Sequence, residues 1–126
     1  PAASAGATFQ VASINGAFVA VVDALHSIKS ELPPLREIVR DSVAAISVGL
    51  CDNEELLDLE YVEDRDAEVD LNLVMTGSGQ FIEVQGTGEE ATFSRSQLDR
   101  LLKLGKLGVD AITLAQKKAL GAHWPL

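Results

Sequence analysis

The sequence is poor in the residues that usually carry redox, thiolate-metal and nucleophilic chemistry. Its 126 residues include one Cys and two His. A lone Cys51 excludes an internal disulfide and fits a reducing compartment. Aromatic residues make up 5% of the chain, with one Trp and one Tyr, so the core must come from Leu, Val, Ile and Ala. No apolar run approaches the roughly 20 residues of a membrane-spanning helix. No basic stretch leads into an apolar one, so no signal peptide is expected and the chain reads as cytoplasmic. Walker, GxSxG and HExxH motifs are missing, as is any usable Ser-His-Asp set. Cations are scarce too: ten Lys and Arg stand against nineteen Asp and Glu, a net charge of −9. Taken alone, that balance argues against nucleic-acid binding, because phosphates are met mainly by Lys and Arg.

What is present is an ordinary globular composition, 47% hydrophobic and 23% charged, long enough for one domain with a real core. The stretch from Leu56 to Gln85 organises the rest. Val69, Leu71, Leu73 and Met75 alternate with Glu68, Asp70 and Asn72, the period of a half-buried strand. Thr76-Gly77-Ser78-Gly79 supplies a turn. Ile82 and Val84 then alternate with Phe81, Glu83 and Gln85. Pairing these strands gives one aliphatic face and one acidic and amide face. Upstream, Val43 to Leu50 is a further strand, with Asp52-Asn53 as its turn, and Leu57, Leu59 and Tyr61 alternate in another.

Two helices flank the strands. Ile14, Phe18, Val21, Leu25 and Ile28 recur at helical spacing from Ser13, and Leu32-Pro33-Pro34 stops that helix. Asn15-Gly16 is awkward there, and Gly16 reads as a close-packing position. Residues 1–11 lack periodicity and read as a flexible N-terminal segment before a single domain over 12–126. Ser94 and Gln97 form a capping box, with Phe93 and Leu98 as a hydrophobic staple. The helix that follows turns Leu98, Leu101, Leu102, Val109 and Ile112 inward, with Gly105 and Gly108 on or near that face. It ends at Gly121 after Lys117 and Lys118. The expected fold is α+β: a four-stranded, mostly antiparallel sheet, drawn as a meander, with two long helices packed on one face.

Glu63, Asp64, Asp66, Glu68 and Asp70 place five carboxylates within eight positions. Carboxylates without Cys or His partners suit a hard cation such as Mg²⁺ rather than zinc. A solvated acidic hairpin would have the same composition, so spacing alone leaves both readings open. Asp23 and His26 read as solvated surface, Cys51 as a structural thiol and His123 as part of a tail.

The run DLEYVEDRDAEVDLNLVMTGSGQFIEVQGTGEEATFS resembles the C-terminal half of the ribonuclease PH family. The matching positions are Asp58-Leu59, Tyr61, Glu63-Asp64, Asp70, Asn72 and Glu83-Val84-Gln85-Gly86-Thr87. The resemblance extends from about Ala12 to Leu120, through ASINGAFVAVVDAL and VAAISVGL. It implies a phosphorolytic 3′-5′ exoribonuclease that trims tRNA 3′ ends, with inorganic phosphate as co-substrate and nucleoside diphosphate as product. It further implies that Asp64 and Asp70 are catalytic and hold Mg²⁺. Partners would be RNA, the missing N-terminal half and homologous subunits of a hexameric ring. Six extended residues span roughly 20 Å, so Val62 to Ala67 must fold back if both aspartates share one ion.

The departures are equally specific. The family binds phosphate through a Gly-Thr-Arg segment before the first helix, and here Thr8-Phe9-Gln10 stands in its place. Ser13 at the expected helix start is retained as a phosphate contact, but Gln10 carries no charge. The resemblance to a C-terminal half also meets the charge objection, since the other half of such a protein can hold the basic RNA-binding surface. A non-catalytic ring or scaffold subunit, or a degenerate fragment of the same fold, is the alternative reading.

Overall fold

The computed structural model describes residues 2–57, 67–89 and 91–126, with side chains from Gln10 onward. Helix α1 (Ala2–Ser27) is followed by a 3-10 turn (Lys29–Glu31), the single-turn α2 (Leu35–Ile38), β1 (Val43–Cys51) and β2 (Glu54–Leu57). Strands β3 (Val69–Thr76) and β4 (Phe81–Gly88), helix α3 (Arg95–Leu120) and a 3-10 turn (Gly121–His123) complete the order.

The sheet is antiparallel throughout, with strand order β2-β1-β3-β4. It is therefore not the expected meander. Asp52 and Asn53 both take positive φ, 51° and 63°, the conformation of a tight two-residue hairpin. That turn folds β2 back onto the far half of β1 alone. β1 is buried along almost its whole length, so it needs a neighbour on each side, and β3 takes the other flank. The pairs Ala44–Met75, Ile46–Leu73, Val48–Leu71 and Leu50–Val69 form the aliphatic face.

Helix α3 covers that face. The capping box is present: Gln97 N donates to Ser94 Oγ at 3.1 Å and Ser94 N to Gln97 Oε1 at 2.8 Å. Leu101 and Val109 are buried against the sheet, with Phe93, Leu98, Leu102 and Ile112 packed around them. Fully burying a Leu or Val side chain stabilises by about 1.5–3 kcal/mol. Gly105 and Gly108 allow the approach. A Cβ at Gly105 would collide with Leu73 Cδ1, and one at Gly108 would lie 2.9 Å from Ile46 Cγ1.

Helix α1 starts at Ala2 rather than near Ser13. The segment expected to be irregular is rich in Ala, the strongest helix former, and it extends the helix toward the N-terminus. Among the described side chains of α1, Val22 is the fully buried one, whereas Val21 is 55% exposed. The run Val19-Ala20-Val21-Val22 is apolar on all sides, so periodicity could not choose between the two valines. Gly16 meets no described atom within 4 Å of a built Cβ, so it is not a close-packing position. Its neighbour Asn15 is the docking residue: its Nδ2 donates to Ala45 O at 2.9 Å and its Oδ1 accepts from Ala45 N at 2.7 Å. On that flank of β1 the Asn15 amide takes up the backbone N–H and C=O of Ala45 that a neighbouring strand would otherwise pair. Gln116 of α3 then ties both pieces together, donating from Nε2 to Val43 O at 3.0 Å and to Asn15 O at 3.3 Å.

The β3–β4 turn is anchored at Asp41, which accepts from Ser78 Oγ at 2.5 Å and from Ser42 N at 2.8 Å. Burial alone would raise this carboxyl, but hydrogen bonds from Ser78, Ser42 and Thr76 outweigh it and hold Asp41 below its ordinary value. A bulge between Val74 and Met75 sets Phe81 opposite Met75, so Phe81 does not share the face of Glu83 and Gln85 as strict alternation predicts. α3 packs over β1, β2 and β3, and β4 keeps Phe81, Ile82 and Val84 exposed at 52%, 56% and 48%.

The two glycines make opposite predictions. Gly105→Val should cost about 1–3 kcal/mol through overpacking against Leu73. Gly16→Ala should stabilise by about 0.5–1 kcal/mol through helix propensity. Urea unfolding of both variants checks this, and equal effects would contradict the packing described. Asn15→Ala should cost about 1–3 kcal/mol by leaving the Ala45 amide and carbonyl unmatched, read in the same titration.

Candidate active site

Strand alternation sends Leu71 and Leu73 to α3 and turns Asp70 and Asn72 to the opposite face. Neighbouring strands complete two rows across that face. Gly49, Asp70 and Thr87 form one, and Ser47, Asn72 and Gln85 the other. Directly opposed residues on antiparallel strands place their Cβ atoms about 4.5–5.5 Å apart, so these side chains are near neighbours. The expected acidic and amide face is thus formed, with Glu83 beside it opposite Val74.

The second row is held rigidly. Ser47 is only 4% exposed, and its hydroxyl donates to Asn72 Oδ1 at 2.6 Å. With Oδ1 engaged, the Asn72 Nδ2 group is the part of the amide left to donate to a ligand. Sequence reasoning placed Ser47 on the right side of its strand but did not pair it with Asn72. The signal was available in the alternation of Val43 to Leu50, once β1 is known to neighbour β3 rather than β2 alone.

Asp70 sits on an interior strand, between β1 and β4 partners, where its backbone cannot move independently of the sheet. Just before it, Glu68 N donates to Leu50 O at 2.8 Å and Glu89 N donates to Glu68 O at 2.9 Å. These bonds tie Glu68 to the end of β1 and to the residue after β4, two positions before Asp70. Asp64, with Glu63 and Asp66, lies outside the described residues, as does the fold-back expected between Val62 and Ala67. Among the described residues, no group of three His, Cys, Asp or Glu side chains could hold a metal ion. The donors around Asp70 are nevertheless all oxygens of the kind a hard cation takes: a carboxylate, the Thr87 hydroxyl and the Gln85 amide.

Ser13 and Gln10 lie inside α1 and are exposed. Their backbone N–H groups point along an already formed helix, so they are not the free donors of a helix start, and only their side chains are available to an anion. Among the described residues, no helix is long and apolar enough to cross a membrane.

Comparison with known proteins finds relatives over most of the chain. The chain is 50% identical over 113 residues to Ribonuclease PH of Listeria innocua, covering 89% of this chain and 46% of that protein. Ribonuclease PH of Listeria welshimeri is 48% identical over the same length. The chain therefore spans about half the length of the curated relatives it matches. The crystal structure of rice (Oryza sativa) Rrp46 shares the fold, with a TM-score of 0.56 at 20% identity over 64% of this chain and 38% of that one. The family model described as 3′ exoribonuclease family, domain 2, matches residues 41–108. That span runs from the Asp41 anchor through all four strands to Gly108, so it contains the packing of α3 on the sheet and the face bearing Asp70. The chain belongs to the 3′ exoribonuclease family, in the C-terminal half of a ribonuclease PH-like fold.

Proposed function

We propose that this chain is the metal-carrying half of a phosphorolytic 3′-5′ exoribonuclease that trims tRNA 3′ ends and releases nucleoside diphosphates. The observation that carries this reading is Asp70, fixed on an interior strand of the family-matched sheet among hydroxyl and amide groups. Asp70 and Asp64 would hold Mg²⁺, which neutralises charge on the phosphate groups as they react. The chain's own residues orient. Asp70 is held by the sheet, and Asn72, locked by Ser47, presents an amide donor toward a phosphate oxygen. Inorganic phosphate is the co-substrate, with Ser13 as its contact on this chain through the side-chain hydroxyl.

The complementary N-terminal half and homologous subunits, in a hexameric ring, complete the enzyme in this reading, and RNA supplies the substrate. The relatives' length supports a second half, and the uncovered apolar residues of β4 offer a surface for a partner chain. One observation favours the alternative of a non-catalytic ring subunit. Gln10 stands where the family arginine is expected, and a neutral amide cannot supply a guanidinium fork.

Two variants test the proposal. Asp70→Asn is nearly isosteric and should weaken Mg²⁺ binding at least about 10-fold in calorimetry, the low end for removing a charged partner, while the thermal melt stays unchanged. Unaltered Mg²⁺ affinity would remove Asp70 from the metal site. Gln10→Arg, assayed together with the N-terminal half of a relative, should tighten phosphate binding about 10- to 150-fold, the equivalent of one charge-assisted pair. No gain would place the family's phosphate contact elsewhere.

A further inference from the structure

A second concave site lies at the far end of α1, away from the Asp70 face. The end of α1, the segment through α2 and the C-terminal 3-10 turn line an open cleft of about 480 Å³, a volume in the range of small-molecule sites. Lys29, Arg36, His26 and His123 line it, with Trp124 and the Leu32-Pro33-Pro34-Leu35 segment as apolar wall. No Asp or Glu is among the lining residues. In a chain with nineteen acidic residues against ten basic ones, a pocket with two cations, two imidazoles and no carboxylate is a local reversal of charge.

The two imidazoles are arranged to answer an anion. Their rings stack at 3.6 Å with an interplanar angle of 16°. His123 Nδ1 lies 3.0 Å from Asp23 Oδ1, which fixes Nδ1 as the protonated nitrogen. His26 Nε2 lies 3.5 Å from Lys29 Nζ, so the ammonium donates and that imidazole nitrogen accepts. Partial desolvation, the stacked His123 and Lys29 together hold His26 below its ordinary range, against a smaller opposing pull from Asp23. Arg36 faces the group from α2, and Lys117 of α3 sits over the Trp124 ring at 5.4 Å. Lys29 and His123 thus disfavour a charged His26, and an anion between these groups would offset that repulsion.

We propose that this pocket binds a phosphate monoester of mononucleotide size, with Lys29 and Arg36 on the phosphate, His26 and His123 beside it, and the proline-leucine wall against the remainder. The site is separate from the Asp70 face, and its occupancy does not depend on the activity proposed there. Free nucleotide and the terminal phosphate of an RNA present the same chemistry. Because His26 is held below its ordinary value, it is neutral near pH 7, and an anion that draws a proton onto it should bind with proton uptake.

The test is titration of the full chain at pH 7 with adenosine 5′-monophosphate, adenosine and a 5′-phosphorylated trinucleotide, each by NMR and calorimetry. The chain has one Trp, so the Trp124 indole N–H signal needs no assignment. Adenosine 5′-monophosphate should shift that signal and the histidine side-chain signals, and adenosine should bind at least about 10-fold more weakly. Lys29→Ala/Arg36→Ala, at two exposed positions, should lose at least about 10-fold in affinity with its melt unchanged. Calorimetry in two buffers of different ionisation enthalpy should report proton uptake that His26→Ala reduces. Competition by the trinucleotide would assign the pocket to RNA ends, and its failure to compete would assign it to free nucleotide. Absence of binding by both phosphorylated probes, equal binding of adenosine, or unchanged affinity in the double variant would overturn the proposal.

Discussion

Gly105 and Gly108 set the distance between α3 and the sheet, and through it the position of everything on the sheet's other side. With no Cβ at either place, the helix backbone settles onto Leu73 and Ile46. Those two residues face each other across β1 and β3, so one contact fixes both interior strands. Because side chains alternate along a strand, pinning Leu71 and Leu73 against the helix also fixes Asp70 and Asn72 on the reverse. A slip of one residue would send the carboxylate into the core and a leucine into solvent. The core therefore specifies the site, and the rigidity that places Asp70 comes from the aliphatic face behind it.

The same logic explains how far the sequence could be read. Val69 to Met75 alternates cleanly because one side meets α3 and the other carries polar groups, and both sides were assigned correctly from the pattern. The capping box at Ser94 and the inward leucines of α3 were equally legible, since they depend on local hydrogen bonds and a fixed helical period. Strand order was not. That β1 lies between β2 and β3 follows from the positive φ angles of Asp52 and Asn53 and from burial on both faces of β1, and neither leaves a period in the sequence. Asn15 was illegible for a related reason. Its amide completes the edge of β1 thirty residues away, a contact that no local pattern encodes. His26 and His123 lie still further apart in sequence, and only the closing turn after α3 brings them together.

The distribution of charge gives two parts of α1 different characters. One, at Asn15 in the middle of the helix, leads through Ala45 and Val43 to the sheet. The other meets the C-terminal turn and gathers Lys29, Arg36 and two histidines in a chain that is otherwise strongly acidic. An acidic half can belong to a protein that handles RNA when its carboxylates serve a cation and its phosphate contacts are concentrated or supplied by another half. The relatives, of which this chain covers 46%, leave room for that second half.

We propose that the Asp70 face works in phosphorolysis once a complementary half is present. The most direct measurement combines this chain with the N-terminal half of the Listeria innocua protein and supplies RNA with a 3′ CCA tail, Mg²⁺, and phosphate at increasing concentration. The account predicts release of nucleoside diphosphates at a rate that rises with phosphate and vanishes without it. Release of nucleoside monophosphates independent of phosphate, or no release at any phosphate concentration, would contradict it.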